Sequence, residues 1–92
     1  MANTASAKKR IRSSARKQER NRAYRVTART YIKKTHQLID EGDLEGADEM
    51  AKKATSTLDK AARRNILHRR NTSRRKSRLM KTLANAHKAA AE

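Results

Sequence analysis

Between Arg63 and Lys81 the sequence reads RRNILHRRNTSRRKSRLMK, with nine Lys or Arg and no Asp or Glu in nineteen residues. Cations at this density repel one another in water unless a polyanion neutralises them, so the chemistry they suit is phosphate binding. Arg outnumbers Lys here, and its planar fork makes bidentate phosphate contacts that an ammonium cannot. Arg69, Arg70, Arg74, Arg75, Lys76, Arg78 and Lys81 are the candidates for phosphate contact. Asn71, Thr72, Ser73 and Ser77 can add hydrogen bonds to phosphate or to a ribose 2′-hydroxyl. Apolar residues at both ends (Ile66 and Leu67, then Leu79 and Met80) anchor the stretch to a core, so it is not a tail. A second basic set lies near the N-terminus: Lys8, Lys9, Arg10, Arg12, Arg16, Lys17, Arg20 and Arg22, with only Glu19 opposing it.

Other chemistries find no support. His36, His68 and His87 are far apart and lack metal-ligand spacing with carboxylates. Cysteine is absent, which excludes disulfides, thiolate zinc sites and a cysteine nucleophile. No motif surrounds the serines, and the Gly42–Gly46 pair sits in an acidic setting that suits neither a phosphate loop nor a membrane dimer. No metal, cofactor or catalytic residue is expected. The two aromatics, Tyr24 and Tyr31, read as core residues, so base stacking is not the main mode. Zinc-finger, RRM and KH signatures are missing. Recognition is therefore expected to be of backbone and shape, with steep salt dependence.

The elements that hold these cations read as helices. The 92 residues, net charge +16, contain no proline and glycine only at 42 and 46. Breakers are few, Ala, Arg and Lys are abundant, and no run alternates with period two. One domain, residues 1–92, is expected. Residues 1–37 hold twelve Lys/Arg against one acid, residues 38–59 seven acids against two Lys, and residues 60–92 eleven Lys/Arg against one acid. An acidic tip near Gly42 is predicted, facing solvent or another protein because a phosphate surface repels it.

The fold class predicted is all-α, a three-helix bundle with helices at about 7–41, 44–63 and 68–88. Ser6 is the expected first N-cap. Tyr24, Ala28, Tyr31, Ile32, Thr35, Leu38 and Ile39 recur at helical spacing, whereas only Ala7, Ile11 and Ala15 line up earlier. The first four or five turns should then overhang the bundle, and residues 1–22 are expected to be disordered until a polyanion binds. Gly42 suits the left-handed position closing the first helix, and Asp43 caps the second. Leu44, Ala47, Ala51, Ala54, Leu58 and Ala61 form a heptad-like seam. Asn65 tolerates the left-handed conformation ending that helix. The third helix turns Thr72, Lys76, Leu79, Leu83 and Ala86 inward, with a polar middle that predicts loose packing or exposure on both sides.

The order and spacing of these blocks resemble the bacterial small-subunit ribosomal proteins of the S-twenty family over nearly the whole length. Met1-Ala2-Asn3 with Ser6-Ala7-Lys8-Lys9-Arg10 is similar to the family's N-terminal signature, and Arg29-Thr30-Tyr31-Ile32-Lys33-Lys34 to its mid-helix motif. Gly42-Asp43 resembles its first turn. Leu67-His68-Arg69, followed by Arg74-Arg75-Lys76-Ser77-Arg78-Leu79, resembles its C-terminal block. The resemblance implies a long first helix, direct binding to 16S rRNA in the small ribosomal subunit, and a role in assembly within the bacterial cytoplasm. It extends RNA contact to Lys8, Lys9, Arg10, Arg16, Lys17, Asn21, Arg22, Arg25, Arg29, His68, Arg69, Arg74, Arg75, Lys76 and Arg78. Two departures stand out. Arg64-Asn65 replaces the family's usual Gly before the second turn, and Arg69-Arg70-Asn71 replaces its Lys-Asn after the His. Two rival classes share the charge. A histone-like DNA-binding protein would hold duplex DNA as tightly as structured RNA. A membrane-binding helix would need a continuous apolar face with Trp or Phe, which residues 8–22 and 68–78 lack. The N-terminus also resembles a transit peptide, but the C-terminal third has the same composition.

Overall fold

The computed structural model describes residues 4–92, so the Met1-Ala2-Asn3 part of the resemblance lies outside the described residues. Three helices carry the chain: α1 (Ala5–Glu41), α2 (Leu44–Arg63) and α3 (Arg69–Ala91). No strand occurs among the described residues. The 37 residues of α1 extend about 55 Å at the usual helical rise. The described residues measure 69 × 23 × 15 Å.

Helix α1 begins two residues earlier than expected, because Thr4 and not Ser6 is its cap. Thr4 has extended backbone, and its Oγ1 accepts the Ala7 N–H at 3.2 Å. Ser6 is already helical, and a capping residue must lie outside the helical region. From Lys8 to Arg20 every residue is exposed, so about four turns bury nothing. Ile11, the largest apolar residue there, is 69% exposed. The buried face begins at Asn21 and Tyr24, which are half-buried, and deepens at Ala28 and Thr35, both fully buried. Thr35 satisfies its hydroxyl locally, donating to Tyr31 O at 2.8 Å.

Both turns use one device. At the first, Gly42 (φ 84°) donates its N–H to Ile39 O at 3.1 Å and Asp43 donates to Leu38 O at 2.9 Å. At the second, Asn65 (φ 58°) donates to Ala62 O at 3.1 Å and Ile66 donates to Ala61 O at 2.9 Å. This paired pattern closes a helix through one left-handed residue. Asn65 thus does at the second turn what Gly42 does at the first. Ile66 is 8% exposed and covers the helix end, as its apolar character predicts.

Helix α2 lies along α1 for most of its length and takes α3 on another side, while α1 and α3 meet at few places. Its seam is as predicted except at Leu44, which is half-buried: Ala47, Ala51, Ala54, Leu58 and Ala61 are buried. Small side chains let the backbones approach, and Leu79 and Leu83 of α3 complete the core against Ala47, Ala51 and Ala54. The ends of α2 match its dipole, with Glu45 in the first turn and Lys60 and Arg63 in the last. Asp43 caps it through Oδ1, which accepts the Gly46 N–H at 3.0 Å, and a Cβ at Gly46 would run into that carboxylate.

The polar middle of α3 finds partners within the protein. Thr72 is 3% exposed and donates its hydroxyl to Arg69 O. Lys76 Nζ donates to Asp59 Oδ1 of α2 at 2.8 Å. The two long polar positions are therefore closed by a local hydrogen bond and an inter-helix ion pair. A half-exposed pair of this kind contributes about 0–1 kcal/mol, so it directs packing more than it stabilises. Helix α3 continues to Ala91, three residues past the expected end.

Candidate nucleic-acid interface

The basic residues fall into separate surfaces. On the overhang, Lys8, Lys9, Arg12 and Arg16 line one concave patch with Ala5. Arg10, Lys17, Arg20 and Arg22 are exposed on the rest of that helix. No acid stands in the first turn of α1, so its positive dipole end adds to this field. Those cations make the helix start less stable by itself and better suited to an anion.

The second surface is built on α3. Arg75, Arg78 and Lys81 border a cleft of about 450 Å³ between α3 and α1, whose other walls include Ile32, His36 and Leu79. Arg70, Arg74 and Arg78 are exposed, and Arg75 is half-buried. The first turn of α3 again contains no acid. His68 caps that turn: its Nδ1 accepts the Arg70 N–H at 3.1 Å. The ring edge used by the cap is unavailable to RNA, although the residue as a whole is exposed. Asn65, Leu67, His68 and Arg69 line a shallow hollow at the turn.

Several predicted contacts have other partners within the fold. Lys76 is held by Asp59. Asn71 is half-buried, and its Oδ1 is buried without a protein hydrogen bond, so it does not present that oxygen at the surface. Arg25 Nη2 donates to Ile66 O at 3.3 Å. Asn21 is half-buried and Arg29 exposed. The overhang patch and the α3 cleft have no residue in common.

The acids also divide. Asp40, Glu41, Asp43, Glu45 and Glu49 are exposed around the first turn and the start of α2. Asp48 pairs with His87 at 2.8 Å, and Asp59 lies at the other end of α2 on Lys76. One grouping of cations escaped the sequence reading. Lys52, Lys60 and Arg63 line a groove of about 600 Å³ between α2 and α3 with Asp48 and Asp59, floored in part by Met80 and Leu83. Lys52 stands in the acid-rich segment and Arg63 at the head of the basic one, which kept them apart. Their spacing of eight and then three residues, with Ser56 between, places them on one helix face and was the available signal. No group of three His, Cys, Asp or Glu able to hold a metal occurs among the described residues. Nor is any described helix long and apolar enough to cross a membrane.

Fold and charge together define a class: a small all-helical protein that offers basic faces to a nucleic acid. Residues 2–84 match the family described as Ribosomal protein S20. The chain is 51% identical over 81 residues to small ribosomal subunit protein bS20 of Thermomicrobium roseum, covering 88% of this chain and 82% of the relative. It is 46% identical over 88 residues to the protein of the same name from Dehalococcoides mccartyi, covering 96% and 100%. The counterpart from Coprothermobacter proteolyticus is 44% identical over 81 residues, covering 88% and 92%. The chain belongs to the ribosomal protein S20 family.

Proposed function

We propose that the chain grips 16S rRNA with two basic surfaces, the overhang of α1 and the outer face of α3, held apart by α2. Family membership makes it a structural protein of the small ribosomal subunit, associated with that subunit and its rRNA in the bacterial cytoplasm, and not an enzyme. The histone-like alternative has no support from its relatives. The observation that carries the two-surface reading is the run of exposed residues from Lys8 to Arg20 on a helix with nothing to bury.

In this reading Lys8, Lys9, Arg12 and Arg16 neutralise one set of phosphates, and Arg70, Arg74, Arg75, Arg78 and Lys81 another. Where two RNA helices converge, one protein neutralising both relieves their repulsion. Free of RNA, the described part of the extension, residues 4–22, rests on local propensity alone and frays, so binding and ordering are coupled. The described residues form a single domain around α2. The exposed acids near Gly42 point away from RNA, toward solvent or a neighbouring protein.

The test is binding to 16S rRNA and to length-matched duplex DNA, each across a salt series. A preference for rRNA that persists at high salt is expected from a shaped site. Equal affinities with equal steep slopes would overturn the reading and leave a generic polycation.

A further inference from the structure

Helix α3 is fixed unevenly. Its second half is held by Leu79 and Leu83 in the core and by His87 on Asp48. Its first turns carry the arginines of the second basic surface but bury only Thr72. What ties this end to α1 is the α2–α3 turn. There, the Arg25 guanidinium of α1 donates to the carbonyl of Ile66 across 41 residues of sequence. Beside it, the Arg64 guanidinium lies over the Tyr24 ring, 5.4 Å from its centroid, within the range of a cation–π contact. Ile66 is fully committed: its N–H goes to Ala61 O, its side chain is buried, and its carbonyl takes Arg25.

The geometry points to Arg25 as a positioning residue, with Tyr24 and Arg64 as its support, rather than a phosphate contact. The two bonds form a brace between α1 and the turn, at the place where the overhang leaves the bundle. They set the direction of the start of α3 relative to the bundled part of α1, and so where its arginines stand. With that face held before binding, only the overhang has to order on the RNA, which lowers the entropy cost of association. This inference rests on the two-surface reading above.

The chain has no native cysteine, so labels can be placed at will. Spin labels on Thr30→Cys and Ser73→Cys, both exposed positions, report the distance distribution between α1 and α3 in the free protein. RNA binding is measured separately on unlabelled chains. With Arg25→Gln the distribution is expected to broaden. Binding to 16S rRNA should weaken about five- to tenfold, the scale of one ordinary hydrogen bond, while the salt slope stays unchanged. Arg25→Lys, which keeps one donor, should restore both in part. Tyr24→Leu, which removes the ring and leaves every cation in place, should broaden the distribution in the same way and serves if Arg25→Gln does not fold. An unchanged distribution, with a slope lower by about one phosphate, would overturn the assignment and make Arg25 a direct contact. Broadening without loss of RNA affinity would overturn it too. Because the distances are measured without RNA, failure of the brace is distinguishable from failure of the RNA reading.

Discussion

Helix α2 and the first four turns of α1 are both helical, and they are built on opposite rules. Helix α2 buries an alanine-rich seam, is capped by Asp43, and carries charges that match its dipole. The start of α1 buries nothing from Lys8 to Arg20 and places cations at its own positive end. One helix is stabilised by protein, and the other lacks what stabilises a helix except propensity and the Thr4 cap. The difference separates the scaffold from the proposed interface: local stability is lowest where burial and dipole-matched charge are both missing.

That contrast can be broken at either end, and the largest effect belongs to the scaffold. Leu58→Ala opens a cavity at a fully buried position of α2, with an expected loss of about 2–5 kcal/mol. Urea or thermal unfolding followed by circular dichroism reads it, and in so small a core much of the helicity should be lost with it. A stable variant would mean that α2 is not the organising element. Next comes the second basic surface. Replacing Arg74, Arg75 and Arg78 together by Ala should weaken rRNA binding and lower the salt slope by roughly one per lost phosphate contact, with helicity unchanged. Lys76 is left out because Asp59 already holds it. An unchanged slope would remove these residues from the interface. The smallest effect is Ile11→Ser, at a residue 69% exposed on the overhang. Its unfolding curve should superimpose on that of the unsubstituted chain, and a clear loss of stability would show that the overhang packs on something in the free protein.

The N-terminal truncation of residues 4–20 sharpens the same division. It should reduce rRNA affinity while leaving the midpoint of bundle unfolding in place, as measured by fluorescence anisotropy and circular dichroism. If the midpoint falls with the affinity, scaffold and interface are not separate.

Much of this arrangement was legible in the residues. The three helices follow from absent proline and from apolar spacings of three and four, which are local properties of the backbone. The turn at Gly42 followed from a residue free to take positive φ, and the one at Asn65 from the residue next best suited to it. The seam from Ala47 to Ala61 and the bare face before Asn21 followed from the same periodicity. The first N-cap did not, because Ser6 is by type the better cap than Thr4, and only the backbone at each decides which is used.

What the sequence by itself determined, then, is the helices, their turns, the buried faces and the division of charge, all set within a few residues by propensity and period. What only the tertiary structure decided is which polar side chains are already engaged. Arg25 meets Ile66, Arg64 lies on Tyr24, Lys76 takes Asp59, and His87 takes Asp48. Of these, the Arg25, Lys76 and His87 hydrogen bonds span 41, 17 and 39 residues. Such partners depend on how one helix crosses another, and on side chains long enough to reach across, which no local pattern encodes.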